Sequence, residues 1–301
     1  METLTSWNLI INLEKFPSFN LEKAVCNHGF FMMAPNHWDP STKSFSRPLR
    51  LADSITSAMT FISQPTREDH LVVKVYGASI LSLKDERAIQ SQVIRMLRLS
   101  DKDEQDVGCF HKLYPDAKAK GFGRLFRSPT LFEDVAKSLL LRFCPWKTSL
   151  DLAKALCDLQ LKKVMSKRKR ATIGDFPSPE ELASFREEEL KGKAKFGYRA
   201  AELILLAKQV ADGTIKLSKL EKDDIADEPN ARTFKLKING AGPFTTHTIM
   251  MCAGYYYNIP IDSETMRHMK EVKNIRHPLI SFFLIFATYL FLVCLTCFLA
   301  C

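Results

Sequence analysis

The chain has 301 residues, 46% hydrophobic and 26% charged, which excludes global disorder and is enough to bury two compact units. Its 43 Lys and Arg outnumber its 34 Asp and Glu, and the net charge of +9 favours a polyanion or an anionic membrane surface as partner. Of eight cysteines the first five are scattered singly, and the start METLTSWNLI has no basic stretch ahead of an apolar one, so neither a disulfide framework nor a secretory signal is expected.

Residues 1–127 read as a mixed α/β unit. HLVVKVYG (70–77) is rich in β-branched residues and ends on Gly77, and LRLADSIT (49–56) is a candidate partner strand. Pro35, Pro40, Pro48 and Pro65 divide the region into short segments, as in a small sheet. From Asp85 onward, Ile89, Val93, Met96 and Leu97 recur at helical spacing, which predicts a helix packed on that sheet.

From Ser128 the pattern turns helical. Ser128-Pro129 is a cap with proline in the first turn, and Phe132, Val135, Ala136 and Leu139 make one apolar face. A second helix covers 149–160 after a break at Pro145, followed by the basic run KKVMSKRKR (162–170). That run reads as a solvated linker, a nuclear-import signal or a phosphate contact. Pro177 and Pro179 open a further helix, and YRAAELILLAKQVADG (198–213) is helical with Gly213 as its stop.

INGAGPFTTHTI (238–249) lacks the third glycine of a dinucleotide fingerprint and the G-K-[ST] of a phosphate loop. A turn leading into a helix fits better. Gly240 and Gly242 can take positive φ, and Pro243 can open the helix, where its missing N–H costs nothing. Such a turn either joins two helices and no more, or holds a phosphate on its N–H groups and the positive end of the helix dipole. In IDSETMRH (261–268), Asp262 or Ser263 caps a helix, and a carboxylate there can also face a cleft. His247 and His268 have no second ligand at metal spacing, so no metal site is expected.

Together, the Gly240–Gly242 turn and Asp262 resemble the helix–hairpin–helix DNA glycosylases. FNLEKAVCNHGFFMMAPNHWD (19–39) resembles the start of the sheet domain in the 8-oxoguanine and bacterial 3-methyladenine types, and FPSPEELASF (176–185) and KFGYRAAELI (195–204) resemble the segment ahead of the hairpin. The resemblance spans about residues 19–272 and implies an α+β fold. A small antiparallel sheet domain (1–127) precedes an all-helical glycosylase domain (128–277).

It implies that Asn239, Gly240, Ala241, Gly242 and Thr245 grip the DNA backbone, and that Asp262 assists cleavage of the base–sugar bond. Phe31, Trp146 and Tyr198 become pocket candidates. Phe244, at the family's spacing ahead of Asp262, occupies the position where bifunctional members carry a lysine. Phenylalanine cannot form an imine, so the activity expected is that of a monofunctional glycosylase on damaged, alkylated purines. The implied partner is double-stranded DNA with a damaged base, the protein a nuclear monomer without a redox cofactor.

Two features depart from the family. LLRFCPWKTS (140–149) lacks the amide that relatives insert where the flipped base was, which leaves Trp146 or Arg142 as the wedge. From Leu279 to Cys301 the chain carries no charge, a stretch long enough to span a membrane. Either this tail is a membrane anchor, with Lys270, Lys273 and Arg276 holding the N-terminal bulk in the cytosol or nucleoplasm, or it is an unrelated ending on a shortened helical domain. Cys294, Cys297 and Cys301 lie inside it and supply one ligand too few for an iron–sulfur cluster. Two rivals follow: a catalytically impaired DNA-binding relative, and a tail-anchored protein that uses a glycosylase-like domain for interaction.

Overall fold

The computed structural model describes residues 6–66, 68–167, 174–193, 196–221, 238–256, 258, 260–263 and 266. The hydrophobic tail 279–301, His268 and the end of the basic run lie outside them. The chain falls into two compact units, Met1–Thr130 with Cys157–Phe176, and Leu131–Leu156 with Pro177–Cys301.

The first unit is built on an antiparallel sheet of β1 (Ser6–Asn12), β2 (His37–Asp39), β3 (Ser44–Arg50), β4 (Ser57–Ser63) and β5 (His70–Tyr76), in the order β1-β5-β4-β3-β2. Alternation sets its faces. Leu9, Ile11, Phe45, Ile62, Leu71, Val73 and Val75 are buried, whereas Ile10, Phe61 and Lys74 point to solvent. The sequence reading of 49–56 as a strand needs correcting: only Leu49 and Arg50 are in β3, and 51–56 make the turn into β4. Asp53 holds that turn by accepting from the N–H groups of Ile55 (2.9 Å) and Thr56 (2.7 Å), a local bond that competes with pairing. β5 pairs with β4 and β1 instead.

Around the sheet lie α1 (Leu21–Val25), a 3-10 turn (Gly29–Met32), α2 (Leu83–Leu97), α3 (Asp101–Leu113) and α4 (Pro115–Ala119). α2 begins with a capping box. Asp85 N donates to Ser82 Oγ, and Ser82 N donates back to Asp85 Oδ2. Ile89, Val93, Met96 and Leu97 are its buried residues, the set its periodicity predicts.

The second unit holds α5 (Leu131–Leu140), the start of α6 (Trp146–Lys167), α7 (Pro179–Ala183), α8 (Glu187–Lys193), α9 (Arg199–Ala211), a 3-10 turn (Leu217–Lys219) and α10 (Pro243–Ala253). Phe132, Val135, Ala136 and Leu139, the apolar face that the spacing of α5 predicts, are buried, and so are the other residues of the helix, charged ones included. It packs on α9 and α10, and Lys137 Nζ lies 2.7 Å from Glu133 Oε1 one turn away, so that pair enters the core together.

The 157–176 segment groups with the sheet, although the sequence assigns all of 128–277 to one helical domain. Gly174 lies against the Cys157 carbonyl with no room for a Cβ. Beside it, Asp175 is buried among basic side chains: Arg50 Nε stands 3.1 Å away, Arg47 Nη2 3.4 Å, and the Ser57 hydroxyl donates at 2.8 Å.

Candidate active site

The hairpin turns at Gly240, whose φ of +80° is the left-handed conformation that glycine tolerates at least cost. Gly242 differs from the sequence expectation of a second positive φ. Its φ is −74° and ψ −179°, an extended backbone open to any residue, from which it caps α10. Ala241 N donates to Ile238 O and Gly242 N to Gly240 O, each at 3.1 Å. Those two amides are thus used inside the turn.

Pro243 follows at the first helical position, and no side chain caps the helix. The first-turn N–H groups of Phe244 and Thr245 therefore stand at the positive end of the dipole without a capping side chain. Thr245 is itself buried, so its contribution to such an end is its amide. Asn239 is exposed and Ala241 half-buried.

Gly240 is enclosed from behind. Arg142 donates through Nη1 to the Gly240 carbonyl and through Nη2 to the Glu202 carboxylate. A Cβ built on Gly240 would lie 2.6 Å from Glu202 Oε1, whereas one on Gly242 meets nothing within 4 Å. The two glycines are therefore expected to respond differently to a side chain. Gly240→Ala should lower the melting temperature, since left-handed backbone alone costs about 1–2 kcal/mol for a residue with a Cβ. Gly242→Ala should leave melting unchanged, because its φ suits any residue and its Cβ meets nothing within 4 Å. Thermal melts of both variants check this, and a Gly242→Ala protein that melts as low as Gly240→Ala would remove the distinction.

The same cluster explains why Arg142 is no wedge: it is 8% exposed and its guanidinium is engaged at both ends. Arg199, in the first turn of α9, donates from Nη2 to the Arg142 carbonyl. Both guanidinium groups lie over the half-exposed ring of Tyr198, with their carbons 5.5 and 4.8 Å from its centroid. Tyr198 thus joins the hairpin support, while Phe31 stands half-buried on the 3-10 turn of the first unit.

Trp146 opens α6, half-buried. Its Nε1 and Arg199 Nε are buried N–H donors with no hydrogen-bond acceptor among the described residues. Buried donors of this kind are uncommon in folded proteins.

Sequence reasoning missed Phe143. It is 92% exposed, with φ +48°, between the inward-turned Arg142 and Cys144. Its signal was the missing amide in that loop, but the sequence could not say which side chain points out.

Asp262 is half-buried at the start of a helical turn, its carbonyl accepting from Met266 N at 3.0 Å, as expected of a capping position. Of the tyrosines between α10 and Asp262, Tyr255 is buried in packing. Among the described residues no His, Cys, Asp and Glu side chains gather as a metal site, and no helix is long and apolar enough to cross a membrane.

No protein-family model and no curated protein sequence matches the chain. Solved structures do. MBOgg1, solved with a low-affinity DNA ligand, superposes with a TM-score of 0.62 at 19% identity, over 97% of this chain and 98% of that one. The 3-methyladenine DNA glycosylase of Archaeoglobus fulgidus matches with a TM-score of 0.62 at 16% identity, over 95% and 98%. The 8-oxoguanine glycosylase/lyase of Clostridium acetobutylicum, with double-stranded DNA, reaches 0.59 at 15% identity, over 96% and 97%. With its five-stranded sheet, its helical unit and its glycine turn opening α10, the chain has the fold of the helix–hairpin–helix DNA glycosylases.

Proposed function

We propose that this protein is a monofunctional DNA N-glycosylase that hydrolyses the bond between deoxyribose and a damaged, alkylated purine. The observation that carries the reading is the placing of Asp262 at a helix start, downstream of Phe244, in a chain whose hairpin opens α10 with uncapped amides. Cleavage of an N-glycosidic bond builds positive charge on the sugar. The Asp262 carboxylate stabilises that charge and orients the attacking water. Phe244 supplies no amine, so the reaction stops at the abasic site.

The target base must leave the stack before it reaches Asp262, and the gap must be filled. Phe143 serves as the wedge, being apolar, exposed and held on a left-handed backbone. Tyr198 and Trp146, both of the helical unit, supply aromatic surface to the pocket. The excess of positive charge draws the protein to DNA, and its affinity falls as salt rises. A nuclear location is the expectation that goes with this reading, and a membrane anchor in 279–301 rests on hydropathy alone.

The deciding experiment offers duplexes that each carry a single alkylated, oxidised or deaminated base. Abasic product should form from alkylated purines without strand cleavage, and borohydride should trap no covalent adduct. An adduct would mean that a lysine acts as nucleophile; no excision from any duplex would leave a DNA-binding relative.

A wedge on strained backbone gives a second expectation. Phe143→Gly removes almost no packing and relieves the positive φ, so stability should hold or rise by up to about 1 kcal/mol. Excision should nevertheless fall by at least tenfold, the rate equivalent of about 1.4 kcal/mol. Denaturant titration and single-turnover kinetics on one preparation check both halves, and unchanged kinetics would exclude Phe143 as the wedge.

A further inference from the structure

Phe143 has no packing of its own to hold it. Its place depends on the residue before it. The Arg142 carbonyl accepts from Arg199 Nη2, which fixes the loop to the first turn of α9. The Arg142 side chain then leaves the loop altogether. Nε donates to Leu139 O at 3.3 Å, Nη1 donates to the Gly240 carbonyl, and Nη2 pairs with Glu202 on α9. One planar guanidinium thereby ties the end of α5 to the apex of the hairpin, with Tyr198 under it. A lysine could keep the charge but not the fork, since its ammonium is a point donor on a flexible stem.

We propose that Arg142 is a positioning residue: it sets Phe143 in register with the hairpin, so that the phosphate held at α10 and the base pair opened by Phe143 belong to one fixed step of the duplex. Glu202 is its partner, holding the guanidinium plane against Gly240. The inference rests on the glycosylase reading, in which Phe143 opens the duplex and the hairpin grips it. Its consequence is specific. Loss of the fork should blur where along the duplex the protein unstacks bases, while the first-turn amides of α10, beyond the Gly240 carbonyl that Arg142 holds, still grip the backbone.

The test needs no turnover. A duplex with one tetrahydrofuran abasic analogue carries 2-aminopurine either next to the analogue or one or two base pairs further away, and the fluorescence rise on binding reports unstacking at each position. With the parent protein, the rise beside the analogue should exceed that at the next position by about fivefold or more; in Arg142→Lys and Glu202→Gln the ratio should fall below about twofold, as a displacement of an ångström or so would cause. Affinity for an undamaged duplex of the same length should stay within about twofold of the parent in both variants, and Phe143→Gly should lose the rise at every position.

The proposal is overturned if both variants keep the parent's ratio with only the amplitude changed. It is also overturned if undamaged-duplex affinity falls in step with the signal, which is what general loosening of the unit would do. Glu202→Gln keeps an acceptor of the same shape, so it remains readable should Arg142→Lys melt below the assay temperature. Failure of the glycosylase reading looks different, since the parent itself would then show no position-dependent rise.

Discussion

Asp262→Asn is expected to lower single-turnover excision by about 10²–10⁴-fold, the range over which a positioned acid or base contributes. The change is isosteric and removes only the charge. Asparagine caps a helix about as well as aspartate, so the turn that begins with the Met266 N–H donating to the Asp262 carbonyl should persist. Binding to a lesion-containing duplex should accordingly stay within a few-fold of the parent, and the melting temperature should not move. The loss belongs to the chemical step, where positive charge on the sugar has no counter-ion. Excision kinetics, duplex titration and a thermal melt on one preparation separate these terms. An Asp262→Asn protein that excises within about threefold of the parent would end the catalytic assignment.

The largest effect on stability is expected at Asp175. Its carboxylate lies between Arg47, 1% exposed, and Arg50, accepts from Ser57, and takes the Phe176 N–H at 2.7 Å. Its own N–H donates to Gln160 Oε1 at 3.0 Å. Asp175→Ala leaves the Arg47 guanidinium buried without its counter-charge, and breaking a buried pair from one side costs about 3–5 kcal/mol. At roughly 2–4 °C per kcal/mol for a unit of this size, the melting temperature should fall by the order of 10 °C. Arg47→Met tests the cause. An apolar side chain of similar length removes the buried cation as well, so in the Asp175→Ala background it should restore part of the loss. If the double variant instead melts lower than Asp175→Ala by the full cost of a second mutation, the two residues act independently and the ion cluster is not what holds the segment.

What the sequence settles alone is whatever depends on near neighbours. The helix at 83–97 shows in four residues at helical spacing. The helix start at Pro243, the α9 stop at Gly213 and the left-handed Gly240 are local in the same way, since backbone sterics and capping act within one turn. The glycine turn and Asp262 are also legible as a motif, because both are short and keep a fixed spacing.

The tertiary structure decided everything that needs a distant partner. Burial of Glu133 and Lys137 is possible because α9 and α10 pack on α5, which no periodicity within that one helix can report. Asp175 meets Arg47 across 128 positions of sequence, and that long-range ion cluster accompanies the return of 157–176 to the sheet. The two glycines of one motif divide in role because Arg142 and Glu202, both far upstream in the chain, close around Gly240 and leave Gly242 open. Phe143 was hidden for the same reason. Whether Arg142, Phe143 or Trp146 faces outward in that loop depends on which of them finds buried acceptors, and the acceptors for Arg142 lie on α9 and the hairpin. A guanidinium that gains those bonds turns inward, and the chain geometry then leaves the neighbouring aromatic ring in water.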